Sequence, residues 1–224
     1  MAQESLFHSS IGRKFTMALS AIFLLVFLLM HFVSNLMSLV SAEAFNSVSQ
    51  FLGYNPFIQY VMQPILILGV VYHFVMGVIL ESQNKKARPV KYAKTNPSAN
   101  SSWASRNMIL SGGVILAFLV LHLVDFWWPE INHKYVEALP EDPNRYYDEL
   151  LHRFSNPVRV GVYVFAFFLL MLHLLHGFQS AFQSVGANHR KYTPFIKSFG
   201  KIFAIVIPVG FMLIAIINYL KTIL

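Results

Sequence analysis

The chain contains no cysteine among its 224 residues. That absence excludes iron–sulfur clusters and zinc sites held by thiolates, covalent haem on a Cys-x-x-Cys-His motif, and a secreted disulfide scaffold. Charge is scarce too: 12% of residues are charged and 56% are hydrophobic, whereas about 25% charged residues is usual in soluble domains. The mean hydropathy of +0.54 excludes a disordered chain and a nucleic-acid module, and it indicates a membrane protein.

Five long apolar stretches account for this hydropathy. Each exceeds the ~20 residues that a helix needs to cross the hydrocarbon core of a bilayer, and in lipid a helix satisfies its own backbone hydrogen bonds. The sequence therefore predicts an all-α integral membrane bundle with five transmembrane helices, a single multi-pass domain over residues 1–224. The predicted spans cover about residues 15–40, 57–81, 107–128, 157–182 and 199–220.

The basic residues are divided unevenly between the connections. Arg13 and Lys14 precede the first span, and the connections after the second and fourth spans are basic, whereas the connection after the third is acidic. The positive-inside rule predicts a cytoplasmic N-terminus in the cytoplasmic (inner) membrane. Membrane topology thereby explains the net charge of +7, and no nucleic-acid partner is needed to account for it. The basic residues of these connections are Lys85, Lys86, Arg88, Lys91, Lys94, Arg106, Arg190, Lys191, Lys197 and Lys201.

Histidines inside the spans are the most informative feature, because ionisable residues at membrane depth usually serve a function. At a rise of about 1.5 Å per residue, His31 and His122 lie roughly 22–24 Å from the cytoplasmic ends of their spans. His73 and His173 lie roughly 12–13 Å from those ends. Two histidines at each of two depths predict two bis-histidine haems b, since neutral imidazole binds iron strongly and an apolar cavity suits a porphyrin.

Two features leave alternatives open. His176 lies one turn from His173, where it can bind iron instead, hydrogen-bond a haem propionate, or only pack. Small residues such as Gly69 and Gly77 on the face of His73 leave room for a macrocycle, but they serve close helix packing as well. A single membrane histidine is readily explained by packing, whereas four matched in depth favour paired haem ligation.

Five short motifs surround these histidines: Arg13-Lys14, His31-Phe-Val-Ser-Asn35, His73-Phe-Val-Met-Gly77, Ser111-Gly112 ahead of Leu-His122-Leu-Val-Asp125, and His173-Leu-Leu-His-Gly177. In their order and spacing they resemble the five-helix, di-haem cytochrome b subunit of succinate:quinone oxidoreductases, which include succinate dehydrogenases and quinol:fumarate reductases. The resemblance covers nearly the whole chain. It implies one haem held by His31 and His122 and another by His73 and His173, with His173 preferred over His176.

The resemblance also implies partners and a function. Such subunits anchor a flavoprotein and an iron–sulfur protein on the cytoplasmic face, and their haems pass electrons between the iron–sulfur protein and membrane quinone. The chain would then be the membrane anchor and electron-transfer subunit in succinate oxidation or fumarate reduction. The lack of cysteine agrees with this role, because the clusters and the dicarboxylate chemistry belong to partner chains.

Propionate contacts are expected near the inner haem. Arg13, Lys14 and Ser180 lie at the cytoplasmic ends of their spans, and a cation strengthens a hydrogen bond to a carboxylate. The alternative for the basic pair is that it serves topology alone.

A quinone pocket is expected near the outer haem, because quinone chemistry moves protons and needs polar groups with access to water. The outer ends of spans two and three supply Gln59, Tyr60, Gln63 and Asp125, with Trp127 and Trp128 as aromatic walls. The competing location is an inner site near His176 and Ser180.

Asp125 supports two interpretations. It lies three residues after His122 on the same helix face, so it is a candidate proton exchanger for quinone chemistry. Its structural alternative is a bond to a neighbouring helix, to Asn35 or to a loop lysine.

Other functions consistent with the sequence are the cytochrome b subunit of a hydrogenase or formate dehydrogenase, and a proton-translocating membrane protein without haem.

Overall fold

The computed structural model describes residues 9–86 and 106–224, and all regular structure within them is helical. The all-α prediction is confirmed. Of the basic residues of the connections, Arg88, Lys91 and Lys94 lie outside the described residues. The helices are α1 (Ser10–Val40), α2 (Ala42–Tyr54), α3 (Ile58–Lys86), α4 (Met108–Val136), α5 (Arg145–Phe154), α6 (Pro157–Ser184) and α7 (Thr193–Ile223).

Five of these helices, α1, α3, α4, α6 and α7, are long and apolar enough to cross a membrane. They are 28–31 residues long, which confirms five membrane-spanning helices and a multi-pass protein. All five extend past the predicted apolar stretches. Helix α4 shows why, since polar pairing stabilises the helix beyond its apolar part: Glu130 and Lys134 form an ion pair one turn apart. Two π-helical turns, Leu123–Trp127 and Asn132–Val136, interrupt its regular geometry.

Spans that follow one another along the chain are antiparallel where their contacts show the direction. Gly77 lies against Met17 and Gly69 against Phe23, so α1 and α3 run in opposite directions. Helix α4 is similarly antiparallel to α6, and α6 to α7. We call the end of the bundle where α1, α4 and α7 begin the near end, and the end where α3 and α6 begin the far end.

Helix α7 supports the bundle from one side. Its residues Phe203, Ile207 and Phe211 form a buried cluster with Leu25 of α1 and Leu174 of α6. Between helices in lipid, van der Waals packing rather than the hydrophobic effect drives association, so close approach is what stabilises the contact. A glycine permits that approach at the crossing with α1, because a Cβ on Gly210 would collide with the Phe32 ring.

Two short helices, α2 and α5, cover the far end. Asn46 of α2 links them, because its amide donates to the Asn144 carbonyl and its oxygen accepts from the Tyr147 N–H. Leu150 and Phe154 of α5 are buried against the bundle. Both helices lie in segments that the sequence predicts as connections, since an amphipathic segment of this length is too short and too polar to be predicted as a membrane span.

An ion cluster joins α4 to α5 beneath this cover. Glu130 pairs with Lys134 and Arg145, and Arg145 also pairs with Glu149 at 2.7 Å. Burial alone would lower the pKa of Arg145, but its hydrogen bonds to Glu149 and Glu130 raise it. Burial raises the pKa of the nearby Tyr146 phenol, and the negative charge of Glu130 raises it further. The ion pairs of this cluster hold α5 against α4.

Candidate functional site

The structure brings the four span histidines together as two facing pairs. The ring centroids of His31 in α1 and His122 in α4 are 5.7 Å apart, with the rings nearly perpendicular at 86°. Those of His73 in α3 and His173 in α6 are 6.4 Å apart at 67°. We call the first the far pair and the second the near pair. His176, the other candidate on α6, is half-buried one turn further along.

The near pair is oriented by two serines. Ser20 Oγ lies 3.2 Å from His73 Nδ1, and Ser111 Oγ lies 3.2 Å from His173 Nδ1. Each hydroxyl already donates its only proton to a backbone carbonyl one turn earlier, at 2.7 Å and 3.0 Å respectively. Each serine must therefore accept a hydrogen bond from Nδ1–H. This network assigns both imidazoles the tautomer with the Nε2 lone pair free, which is the form that binds a metal.

The contacts of the near pair follow one pattern twice. Helices α1 and α4 each carry a methionine, a serine three residues later and a histidine eleven residues after that, while α3 and α6 each carry a histidine followed four residues later by glycine. The serine of α1 contacts the histidine of α3, and the serine of α4 contacts that of α6. Eleven residues correspond to roughly 16 Å of helix, so the two pairs lie at different depths. The residues of the pattern are Met17, Ser20, His31, His73 and Gly77, and Met108, Ser111, His122, His173 and Gly177.

Aromatic rings surround the far pair. Phe27 stacks on His31 at 5.4 Å between centroids, and Phe211 approaches the same ring at 5.7 Å. Phe126 lies 5.3 Å from the His122 ring. Both histidines of the far pair therefore have apolar aromatic neighbours.

The polar contacts of His122 come from α6. The Tyr163 hydroxyl lies 3.5 Å from His122 Nδ1 and donates to Asp125 Oδ2 at 2.9 Å. Arg159 Nε lies 3.3 Å from the same carboxylate oxygen. Asp125 is buried, with 2% of its surface exposed. Its charge is thus met by Arg159 and Tyr163, and neither Asn35 nor a loop lysine is the partner.

The donor set suits a metal that brings most of its own ligands. No group of three or more His, Cys, Asp or Glu side chains converges in the part of the chain that the structure describes. Imidazole nitrogens bind first-row metals such as zinc at about 2.0–2.1 Å, which separates two opposed ring centroids by roughly 6 Å. Both pairs have this separation. A haem, whose porphyrin supplies four of the iron ligands, would need only the two imidazoles of one pair to hold it.

The surroundings of the near pair fit such a macrocycle. A Cβ on Gly112 would lie 3.7 Å from His173 Cε1, so the glycine keeps the space beside that ring open. Arg13 lies two turns before Ser20 on the same face of α1, and its Nε is buried without a hydrogen-bond partner among the described residues. A buried guanidinium N–H with a free position suits a carboxylate such as a propionate. Lys14 and Ser180, the other propionate candidates, are exposed at the near end.

Comparison of the chain with protein-family models, curated proteins and solved structures finds no match. The sequence motifs and the geometry of the histidine pairs are therefore the features that indicate a function.

Three of the quinone candidates form one hydrogen-bonded group at the far end. Gln63 Nε2 donates to Gln59 Oε1 at 3.1 Å, and Trp127 Nε1 donates to Gln63 Oε1 at 3.5 Å. Gln59 and Tyr60 line a cavity of about 290 Å³ beside them. Asp125 lies apart from this group, buried against α6. Trp128 is half exposed, at 54%.

Sequence reasoning missed Tyr163 and Arg159. A signal for Arg159 was present, because Asp125 is a membrane carboxylate that needs a cation and Arg159 is the one lysine or arginine between residues 157 and 182. Tyr163 carried no comparable signal, since tyrosine is common in apolar helices.

Proposed function

We propose that the chain is the membrane-anchor and electron-transfer subunit of a succinate:quinone oxidoreductase, acting in succinate oxidation or fumarate reduction. In this role it carries two haems b between an iron–sulfur partner and membrane quinone. The observation that carries the proposal is the pair of facing histidine couples, His31 with His122 and His73 with His173, at separations that suit one iron each. The order of the histidine motifs along the chain is the second support.

The chain's own residues hold and shield the cofactors. When bound, each haem supplies one-electron redox chemistry. His73 and His173 present Nε2 because Ser20 and Ser111 accept their Nδ1 protons. Arg13 offers a charge-assisted hydrogen bond to a propionate at the near end. The aromatic rings around the far pair exclude water, which lowers the local dielectric around the metal.

The near end faces the cytoplasm in this proposal. Basic residues cluster there, at Arg13 and Lys14, at the end of α3 and at the start of α7, as the positive-inside rule requires. The flavoprotein and iron–sulfur subunits dock on this face, and the dicarboxylate chemistry takes place in the flavoprotein. His73 and His173 would hold the haem that lies nearer to these partners.

Quinone binds at the far end, beside the far pair. Gln59, Gln63 and Trp127 form a hydrogen-bonded group, and amide and indole groups of this kind can bond quinone oxygens. Tyr60 lines the adjacent cavity. Asp125 is the remaining candidate for proton exchange, although its position against α6 keeps it from direct contact with this group.

The test is a spectroscopic count of haem in the full chain and in single histidine variants. The wild-type protein should bind two haems b with two resolved redox components. His31→Ala and His122→Ala should remove the same component, and His73→Ala and His173→Ala should remove the other. His176→Ala is the matched control and should retain both.

Three results would contradict this proposal. The first is a haem-free wild type prepared with haem in excess. The second is loss of one shared component from the His31 and His73 variants, which would contradict the pairing. The third is co-purification from native membranes with a hydrogenase or formate dehydrogenase instead of a flavoprotein and iron–sulfur pair, which would refute the assignment to succinate:quinone oxidoreductase.

A further inference from the structure

Asp125 is a buried carboxylate whose two oxygens have different environments. Oδ2 accepts the Tyr163 hydroxyl at 2.9 Å and faces Arg159 Nε at 3.3 Å. Oδ1 is buried and has no hydrogen-bond partner in residues 9–86 and 106–224. The Arg159 side chain is 32% exposed, so solvent weakens its compensation of the carboxylate. Asp125 therefore keeps one oxygen without a hydrogen bond from the described residues inside the bundle.

Tyr163 connects this carboxylate to a histidine of the far pair. A phenol has one proton, and Tyr163 gives it to Asp125. The Tyr163 oxygen can then meet His122 Nδ1, 3.5 Å away, only by accepting its N–H. A chain of hydrogen bonds thus runs from His122 through Tyr163 to Asp125, and it leaves His122 Nε2 free.

The other three histidines of the two pairs have no comparable link to a carboxylate among the described residues. His73 and His173 bond to serine hydroxyls whose protons go to backbone carbonyls. Asn35 Nδ2 lies 3.4 Å from both ring nitrogens of His31, and an amide group carries no charge. The pattern that is repeated around the near pair is broken at His122.

We propose that Asp125 is a positioning residue that acts through Tyr163 on His122, fixing its tautomer and lowering the reduction potential of the haem bound by the far pair. This inference rests on the proposed haem function. A carboxylate behind a metal-bound imidazole makes it a stronger donor. A stronger donor favours ferric over ferrous iron. Asp125 in this role is not a quinone contact.

The experiment is a redox titration of the full chain with both haems bound, with the far-pair component identified by His122→Ala. Asp125→Asn removes the charge and keeps the shape, and Tyr163→Phe cuts the link while leaving Asp125 and Arg159 in place. Each should shift the reduction equilibrium of the far-pair haem about tenfold toward the ferrous form, which is about 59 mV for one electron. The near-pair component should not move.

The double variant tests the route. Because the carboxylate acts through the phenol, Asp125→Asn in a Tyr163→Phe background should add little further shift. Tyr147→Phe is the matched control, since Tyr147 is a far-end tyrosine whose hydroxyl accepts from Lys221, and it should leave both potentials unchanged.

Four outcomes would overturn the inference. The first is an unchanged far-pair potential in Tyr163→Phe, and the second is fully additive shifts in the double variant. The third is an equal shift in Tyr147→Phe. The fourth is loss of the far-pair haem from Tyr163→Phe, which would mean that Tyr163 is needed to bind the haem rather than to set its potential. A wild type that binds two haems separates these failures from failure of the proposed function. A wild type that binds none overturns both.

Discussion

Removing the serine hydroxyls beside the near pair tests the tautomer assignment directly. In Ser111→Ala, the His173 Nδ1–H loses its acceptor while every other contact stays in place. Losing the hydrogen-bond partner of a metal-bound histidine typically costs about 10- to 100-fold in affinity, or about 1.4–2.7 kcal/mol. Ser111 is buried, with 7% of its surface exposed, so water cannot replace the hydroxyl. We therefore expect a loss near 100-fold.

The same change on α1 should have a similar effect. Ser20 contacts His73 at the same 3.2 Å as Ser111 contacts His173, and both serines lie within spans, where lipid rather than water covers an exposed side chain. Ser20→Ala should therefore also weaken haem binding by about 10- to 100-fold.

The assay is transfer of haem from detergent-solubilised protein to excess apomyoglobin, followed at the wavelengths of the near-pair component. Ser34→Ala is the control, because its hydroxyl makes the same kind of bond to a backbone carbonyl, that of Met30 at 2.9 Å. Equal haem loss from Ser34→Ala, or loss of the far-pair haem from Ser111→Ala, would refute the reasoning.

Two further predictions concern the quinone group and the packing of α7. Gln63→Leu should raise the KM for quinone while both haem spectra stay unchanged, because it removes the bonds to Gln59 and Trp127; a quinone analogue that binds beside the near pair would contradict the location. Gly210→Ala should destabilise the protein by about 1–3 kcal/mol through overpacking against α1, whereas Gly161→Ala, where a Cβ meets nothing within 4 Å, should not. Thermal unfolding in detergent compares the two, and equal Tm values would count against close packing of α7.

Much of the fold could be predicted because bilayer thickness constrains the sequence strongly. A span must be long, apolar and helical, so five helices follow from composition along the chain. The expectation that His31 and His122 share one depth and His73 and His173 another follows from helical rise alone. The depth of a residue depends only on its position along its own span, so the sequence can predict which residues share a depth.

Contacts between faces were harder to predict. Ser20 lies on the same helix face as His31 of its own helix, but it contacts His73 on α3, because that contact depends on how α1 and α3 are rotated against each other. The partner of Asp125 was open for the same reason, since the rotation of α6 decides whether Arg159 reaches the carboxylate. Helices α2 and α5 were missed because short amphipathic segments take their stability from docking rather than from their own sequence.

The repeated pattern of contacts has a mechanical consequence. Helices α1 to α3 form one half of the bundle and α4 to α6 the other, and each histidine pair takes one ring from each half. A group bound by both rings of a pair would link the two halves. Two such links at different depths would prevent the halves from rotating or sliding against each other. Helix α7, which carries no histidine, braces the same halves through α1 and α6. With a group bound at both pairs, the distance between the two binding sites would stay fixed.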